Sequence, residues 1–249
     1  MLADALGIKQ PGVVACVGAG GKTSLVQSLA AEKAICPVVV TSTTKMFYEQ
    51  VAEYQLVIEN HCDTGMEAVR LALADQQQAA WFSRQQDEKV IGLPPDWVDN
   101  LAAALPAVTV LVEADGARRC LVKAPNAQEP VIPVSTMTTV GILNLSILGQ
   151  PLAPDNAHRL ELVSRIISKQ QGEIIAWQDI ARLVIHSQGL FQYAKGKRVL
   201  LLSGGADGTD WEAVRQIAGY VKKGSAGIER LVVSSGYGSD MQAVEVYVL

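Results

Sequence analysis

The chain has 249 residues, of which 49% are hydrophobic and 18% are charged, and its formal net charge is −4. These values allow a large α/β domain, and a negative chain without Lys/Arg runs is not expected to bind nucleic acid. No apolar run reaches the roughly 20 residues that span a bilayer, so no membrane contact is expected. The four cysteines lack metal-binding spacing and the N-terminus lacks signal-peptide features, which predicts a cytoplasmic protein with reduced thiols.

The first predicted elements form a strand–helix–strand unit. Val13 to Val17 is a short apolar run that ends in glycines, as buried parallel strands do. Leu25 and Leu29 are spaced for one face of a helix, and Val38 to Thr41 is a second apolar strand. This order predicts a βαβ unit with a right-handed crossover.

The same alternation continues to the end of the chain. Helices are predicted at 64–76, 97–105, 177–185 and 210–221, and strands at 79–83, 108–112, 138–145, 199–203, 231–234 and, as an edge strand, 243–249. Asp155 is predicted to cap a further helix whose first turn holds His158 and Arg159. The pattern indicates an α/β fold with a doubly wound, mostly parallel sheet. We expect one domain over residues 1–249, with a smaller C-terminal subdomain from about residue 155 as a variant.

The turn between the first strand and the first helix has the residues of a phosphate loop, Gly18-Ala19-Gly20-Gly21-Lys22-Thr23. Glycines let the backbone wrap an anion, the lysine reaches the outer phosphates, and the threonine hydroxyl binds Mg²⁺. Ser24 adds a donor in the first helical turn. Cys16 stands where the full pattern has its first glycine, so the motif is a shortened one. Its position between an apolar strand and an amphipathic helix supports it. The loop therefore predicts that the protein binds ATP or GTP with Mg²⁺ and has a fold of the P-loop NTPase type.

Two other interpretations of this turn stay open. Gly18 and Gly20 also fit a dinucleotide fingerprint, although Thr23 occupies its third glycine position. The second strand ends in Thr41 to Lys45, without the acid that would hold a ribose. The remaining alternative is a glycine turn with an incidental lysine.

Polar residues follow two further strands, where ligands of open parallel sheets bind. Three of them come after the second strand and are expected to contact the γ-phosphate or its metal, or else to cap a helix: Thr43, Thr44 and Lys45. Glu113 and Asp115 follow the strand at 108–112 and are predicted to hold Mg²⁺ together with Thr23, or to orient an attacking water. The predicted catalytic residues are Lys22, Glu113, Asp115 and, in the loop that follows, Arg118.

A small basic cluster follows in a proline-containing loop. Arg118 and Lys123, with His158 and Arg159 further on, are predicted to bind an unidentified anionic small molecule as second substrate; solvated surface charge is the alternative. Whether the thiol of Cys120 is reactive stays open. Asp207 follows the strand at 199–203, at a place where some phosphate-loop proteins read the base.

Several segments together resemble a known family: Val17–Ser24, Thr41–Met46, Val112–Arg119, Lys123–Pro125, Glu129–Pro133, Leu148–Leu152 and His158–Arg159. In these segments the chain resembles the YqeC family, described as accessory proteins of selenium-dependent molybdenum hydroxylases or as selenium cofactor biosynthesis proteins. The resemblance implies a nucleotide-dependent step in maturing such a hydroxylase or its cofactor. The protein would be an NTP-dependent enzyme or, alternatively, a nucleotide-switched chaperone that docks on the hydroxylase. A dinucleotide oxidoreductase is less favoured.

Overall fold

The computed structural model describes residues 1–224 and 227–249. The helices are α1 Leu2–Leu6, α2 Lys22–Ala31, α3 Cys62–Asp75, α4 Pro95–Ala104, α5 Leu160–Ile167, α6 Trp177–Ile185 and α7 Trp211–Lys223. The strands are β1 Val13–Gly18, β2 Val38–Ser42, β3 Lys45–Phe47, β4 Gln55–Ile58, β5 Gln78–Phe82, β6 Arg84–Gln86, β7 Lys89–Ile91, β8 Thr109–Glu113, β9 Val122–Lys123, β10 Thr136–Asn144, β11 Ala157–His158, β12 Lys197–Ser203, β13 Ile228–Ser235 and β14 Gln242–Val248. Within these residues no helix has the length and hydrophobicity to cross a bilayer.

Nine strands form one sheet in the order β14-β13-β12-β10-β1-β8-β2-β5-β4. Only the pairing of β14 with β13 is antiparallel among these strands, and β14 lies at the edge of the sheet. Strands β8 and β2 lie on one side of β1, and strands β10 and β12 lie on the other. The predicted α/β fold with a doubly wound, mostly parallel sheet is confirmed.

Helices cover both faces of the sheet because successive strand residues point to opposite sides. On β1, Val14 and Cys16 pack with apolar residues of α1 and α2. Ala15 and Val17 face the other side and pack with apolar residues of α5, α6 and α7. The half of the sheet that contains β2, β5 and β8 is covered on this second face by α3 and α4. The carboxyl end of β1 is thereby held between two packed layers.

The structure corrects the prediction for residues 155–159. Helix α5 begins at Leu160, its N-cap is Arg159 in a left-handed conformation (φ 60°), and His158 lies in β11. The side chain of Asn156 accepts a hydrogen bond from the N–H of Ala153 and closes a turn. The parallel pairing of β11 with β9 then keeps the next residues extended. Asp155 is therefore not the cap, and neither His158 nor Arg159 lies in a helical turn.

Other elements were absent from the prediction. These are the edge strand β4, the short helix α1 and a three-stranded antiparallel sheet in the order β3-β7-β6. The small sheet begins directly after β2, so Lys45 starts a strand and does not cap a helix. Its three-residue strands carry mostly exposed polar residues, which give no apolar periodicity to detect.

A glycine in α3 provides a test of the packing on the second face. A Cβ on Gly65 would come within 2.1 Å of the buried Trp81 ring, which stacks on Trp97 at a centroid distance of 5.8 Å. Because this indole has no room to move, Gly65→Ala should lower the free energy of unfolding by about 1–3 kcal/mol. The measurement is urea-induced unfolding followed by circular dichroism.

Gly219→Ala in α7 is the matched control, since no atom lies within 4 Å of the Cβ that it would add. This change should raise the free energy of unfolding by about 0.4–1 kcal/mol through reduced freedom of the unfolded chain. A Gly65→Ala protein that is stabilised as much as the control would contradict the described packing.

Candidate functional site

The loop that follows β1 is shaped by glycines with positive φ. Gly18 has a φ of 97° and Gly20 a φ of 76°. A Cβ on Gly18 would lie 2.2 Å from the carbonyl oxygen of Ile142, and one on Gly20 would lie 2.5 Å from the Cβ of Asn144. Both positions therefore require glycine for conformation and for space. The N–H of Ala19 donates to the same Ile142 oxygen and anchors the loop to β10.

The loop leads directly into the N-terminus of α2. Gly21 is the N-cap of α2, and no side chain accepts a hydrogen bond there. The first N–H groups of a helix have no partners inside it, and they carry the positive end of the helix dipole. The loop therefore presents backbone donors and a partial positive charge at the carboxyl edge of the sheet.

Two side chains fix the Gly20 carbonyl from the β10 side. The amide of Asn144 donates to this oxygen at 3.2 Å, and the hydroxyl of Ser203 donates to it as well. Neither residue was predicted for the site. They lie at the carboxyl ends of β10 and β12, so the strand-end rule that identified Glu113 could have identified them as well.

The hydroxyl of Thr23 connects the start of α2 to β8. Thr23 Oγ1 donates to Glu113 Oε1 at 2.8 Å and accepts a hydrogen bond from Gln50 Nε2 at 3.1 Å. Burial raises the pKa of Glu113, while Lys22 and the hydrogen bond from Thr23 oppose the rise. Gln50, in the short turn after β3, was not predicted, because it lies 27 residues from Thr23 in the chain.

Lys22 points into the loop and is 6% exposed. Its Nζ donates to the carbonyl of Gly18 at 2.7 Å and lies 3.2 Å from Asp115 Oδ1. Burial works to lower the pKa of Lys22, but Asp115 and Glu113 outweigh it and raise the pKa above its ordinary value. The ammonium therefore stays charged in the interior.

Asp115 joins this lysine to a second one. Asp115 Oδ2 accepts the N–H of Gly18 at 3.0 Å and lies 2.9 Å from Lys123 Nζ. Lys123 is fully buried and also donates to the Gly116 carbonyl at 2.7 Å and to Glu129 Oε2 at 2.9 Å. The ammonium of Lys123, which was predicted to bind the second substrate, lies in the interior with three protein acceptors.

Glu129 continues this series of charges to Arg159. The guanidinium of Arg159 donates to both carboxylate oxygens, at 2.6 and 2.7 Å. Burial works to raise the pKa of Glu129, but the hydrogen bonds and charges of Arg159 and Lys123 hold it at about 2. We call the series Lys22, Asp115, Lys123, Glu129 and Arg159 the ion chain, since the charges alternate along it.

The far end of the ion chain lies at a cleft of about 910 Å³. Arg118, Cys120, His158 and Arg159 contribute to its wall, together with Lys45. Burial and the nearby charges of Arg159 and Lys123 hold the pKa of His158 at about 4, so its imidazole is neutral near pH 7. Burial raises the pKa of Cys120, which keeps this thiol protonated.

Of the three predicted site residues after β2, two line the cleft and one does not. Thr43 Oγ1 donates to the carbonyl of Val131 at 2.7 Å and supports the backbone. Thr44 and Lys45 line the cleft, where Thr44 Oγ1 lies 3.1 Å from the hydroxyl of Ser42. The side chain of Ser24 is buried within α2. Thr44 and Lys45 therefore belong to the cleft wall, whereas the side chain of Thr43 holds the backbone of Val131.

A second cavity, of about 310 Å³, opens at the ends of β10 and β12. It is lined by Leu145, Ser146 and Leu148 and by most of residues 204–210. No described residue that lines the second cavity also lines the cleft. Residues 1–224 and 227–249 contain no group of three or more His, Cys, Asp and Glu side chains suited to hold a metal.

Comparison with known proteins supports one family. The model of the family described as YqeC protein matches residues 14–161, which include the loop and every member of the ion chain. A relative from Escherichia coli strain K12, described as uncharacterized protein YqeC, is 30% identical over 187 residues, or 74% of this chain and 72% of the relative. The chain therefore belongs to the YqeC family.

Proposed function

We propose that this protein binds a nucleoside triphosphate with Mg²⁺ in the loop Gly18–Thr23 and uses it in an enzymatic step on a small molecule held in the cleft. The observation that carries the proposal is the 2.8 Å hydrogen bond from the Thr23 hydroxyl to Glu113, beside the buried ammonium of Lys22. A hydroxyl at the start of a helix and an acid at the end of the neighbouring strand are the protein groups that hold Mg²⁺ in phosphate-loop enzymes.

Lys22 and the loop amides supply charge for the phosphates. Of the three N–H donors of the ammonium, one reaches the carbonyl of Gly18 and another faces Asp115. The third donor remains for a phosphate oxygen. Fixed donors in a site with little water stabilise the charge that spreads over the transferred phosphoryl group.

Thr23 and Glu113 fit Mg²⁺ better than Asp115 does. Mg²⁺ keeps several water ligands and takes few protein oxygens, so two protein groups suffice. Asp115 is engaged by Lys22, Lys123 and the N–H of Gly18. We therefore assign the metal to Thr23 and Glu113, and the positioning of Lys22 to Asp115. When bound, Mg²⁺ would neutralise charge on the phosphate oxygens.

The geometry favours a triphosphate over a dinucleotide. A dinucleotide site needs an acid at the end of the second strand for the ribose. There β2 ends in Ser42, whose hydroxyl donates to the carbonyl of Glu113, and Thr43 donates to Val131. The charged group inside the loop is instead the ammonium of Lys22, which suits phosphate oxygens.

The cleft lies beyond the ends of β8 and β2, where Gly116 and Thr44 contribute to its wall, and it suits the second substrate. Arg118 is exposed at its wall and Lys45 adds a second positive charge, so both can bind an anionic group. The neutral imidazole of His158 can accept or donate a hydrogen bond there. The family resemblance supports a role in maturing a selenium-dependent molybdenum hydroxylase or its cofactor, with that hydroxylase as a partner.

The first test replaces the lysine of the loop. Lys22→Met keeps the length of the side chain and removes its charge, so the affinity for Mg-ATP and Mg-GTP should fall about tenfold to hundredfold. Isothermal titration calorimetry measures both affinities. Lys33→Met, at an exposed position just after α2, is the control and should bind like the parent. A Lys22→Met protein with parental affinity for both nucleotides would rule out the proposed site.

The second test concerns the metal. Thr23→Val preserves the shape of the side chain but removes the oxygen that contacts Glu113, so Mg²⁺ should no longer strengthen nucleotide binding. Affinities are compared in Mg²⁺ and in EDTA, and Thr23→Ser, which keeps the hydroxyl, should retain most of the Mg²⁺ effect. If Mg²⁺ strengthens binding to Thr23→Val as much as to the parent, the metal lies elsewhere.

A further inference from the structure

The contacts of Thr23 and Lys22 give the loop Gly18–Thr23 a direction. Thr23 contacts Glu113 at the end of β8, and Lys22 contacts Asp115 just beyond it. Under the proposed function, the terminal phosphates therefore lie on the β8 side of the loop. The nucleoside must then extend to the opposite side, where β10 and β12 end.

The second cavity opens at that place. Its volume of about 310 Å³ lies at the lower end of the range for ligand pockets, about 300–1,000 Å³. Leu145 and Leu148 contribute apolar surface to its wall, which suits the faces of a base. The contacts from Asn144 and Ser203 to the Gly20 carbonyl hold the loop rigidly against this side.

One carboxylate of the second cavity is free to bind a ligand. The hydroxyl of Thr209 accepts the N–H of Ala206 at 2.8 Å and donates to its carbonyl at 2.7 Å, which locks the turn that carries Asp207. The other acid in the wall, Asp210, caps α7 by accepting the N–H of Ala213. Asp207 is exposed and has no hydrogen-bond or ion-pair partner among the described residues.

We propose that the second cavity holds the nucleobase and that Asp207 makes it select guanine, so that the nucleotide is GTP. The inference rests on the proposed function. The two oxygens of a carboxylate accept from two adjacent donors, and guanine offers N1–H beside its 2-amino group. Adenine places the acceptor N1 beside its 6-amino group, so one carboxylate oxygen would face a lone pair. Charge-assisted hydrogen bonds are strong enough to make this difference decisive.

The test is competition of GTP, ATP and XTP against a fluorescent N-methylanthraniloyl-GTP, all with Mg²⁺. The parent should bind GTP about tenfold to hundredfold more tightly than ATP. Asp207→Asn should lose most of this preference and gain affinity for XTP, because an amide can accept from N1–H and donate to the 2-oxo group. Asp75→Asn, an equal change of charge at the exposed end of α3, should behave like the parent.

The possible failures are distinguishable. If ATP and GTP bind equally, or ATP binds better, and both depend on Lys22, the guanine inference is overturned while the triphosphate site stands. If Asp207→Asn keeps the parental preference for GTP, Asp207 is not the selecting group. If no nucleotide binds the parent, the proposed function fails and this inference fails with it. Asp207 is an exposed loop residue, so equal melting temperatures should show that Asp207→Asn is folded.

Discussion

The site depends on the carboxylate of Asp115, which lies between two buried ammonium groups. Lys22 is 3.2 Å from one of its oxygens and Lys123 is 2.9 Å from the other. A buried charge without a partner costs several kcal/mol, so the buried Lys22, Asp115 and Lys123 require one another. Glu129 and Arg159 satisfy the far end of the chain. These contacts hold the loop Gly18–Thr23, the end of β8 and the start of α5 in one arrangement.

The sheet determines what lies on each side of that loop. Because β1 is flanked by β8 and β10, the carboxyl edge has a cleft of about 910 Å³ on one side and a cavity of about 310 Å³ on the other. Under the proposed function, a triphosphate anchored at Lys22 would have the cleft at one end and the second cavity at the other. The ion chain ends at the cleft wall, so the second substrate would contact groups whose positions depend on the phosphate loop.

The sequence was sufficient to predict the parallel sheet without its edge strand β4 and the glycine turn after β1, but it could not provide the contacts between distant segments. Apolar runs and glycines mark β1, and the acid at the end of a predicted strand identified Glu113. Gln50 touches the loop from 27 residues away, outside any strand end, and no local pattern encodes that contact. Lys123 was predicted to bind a substrate because Arg118 lies five residues before it, and only the contacts with Glu129 and Asp115 explain its burial.

We propose that the loop after β1 binds a triphosphate through Lys22 and its metal through Thr23 and Glu113. The most direct measurement is a crystal structure of the protein with Mg²⁺ and a nonhydrolysable analogue of the nucleotide that it binds more tightly. We expect phosphates within the loop, Lys22 Nζ bonded to a phosphate oxygen, and Mg²⁺ ligated by the Thr23 hydroxyl. A saturated crystal with an empty loop, or with the nucleotide bound elsewhere, would contradict the account.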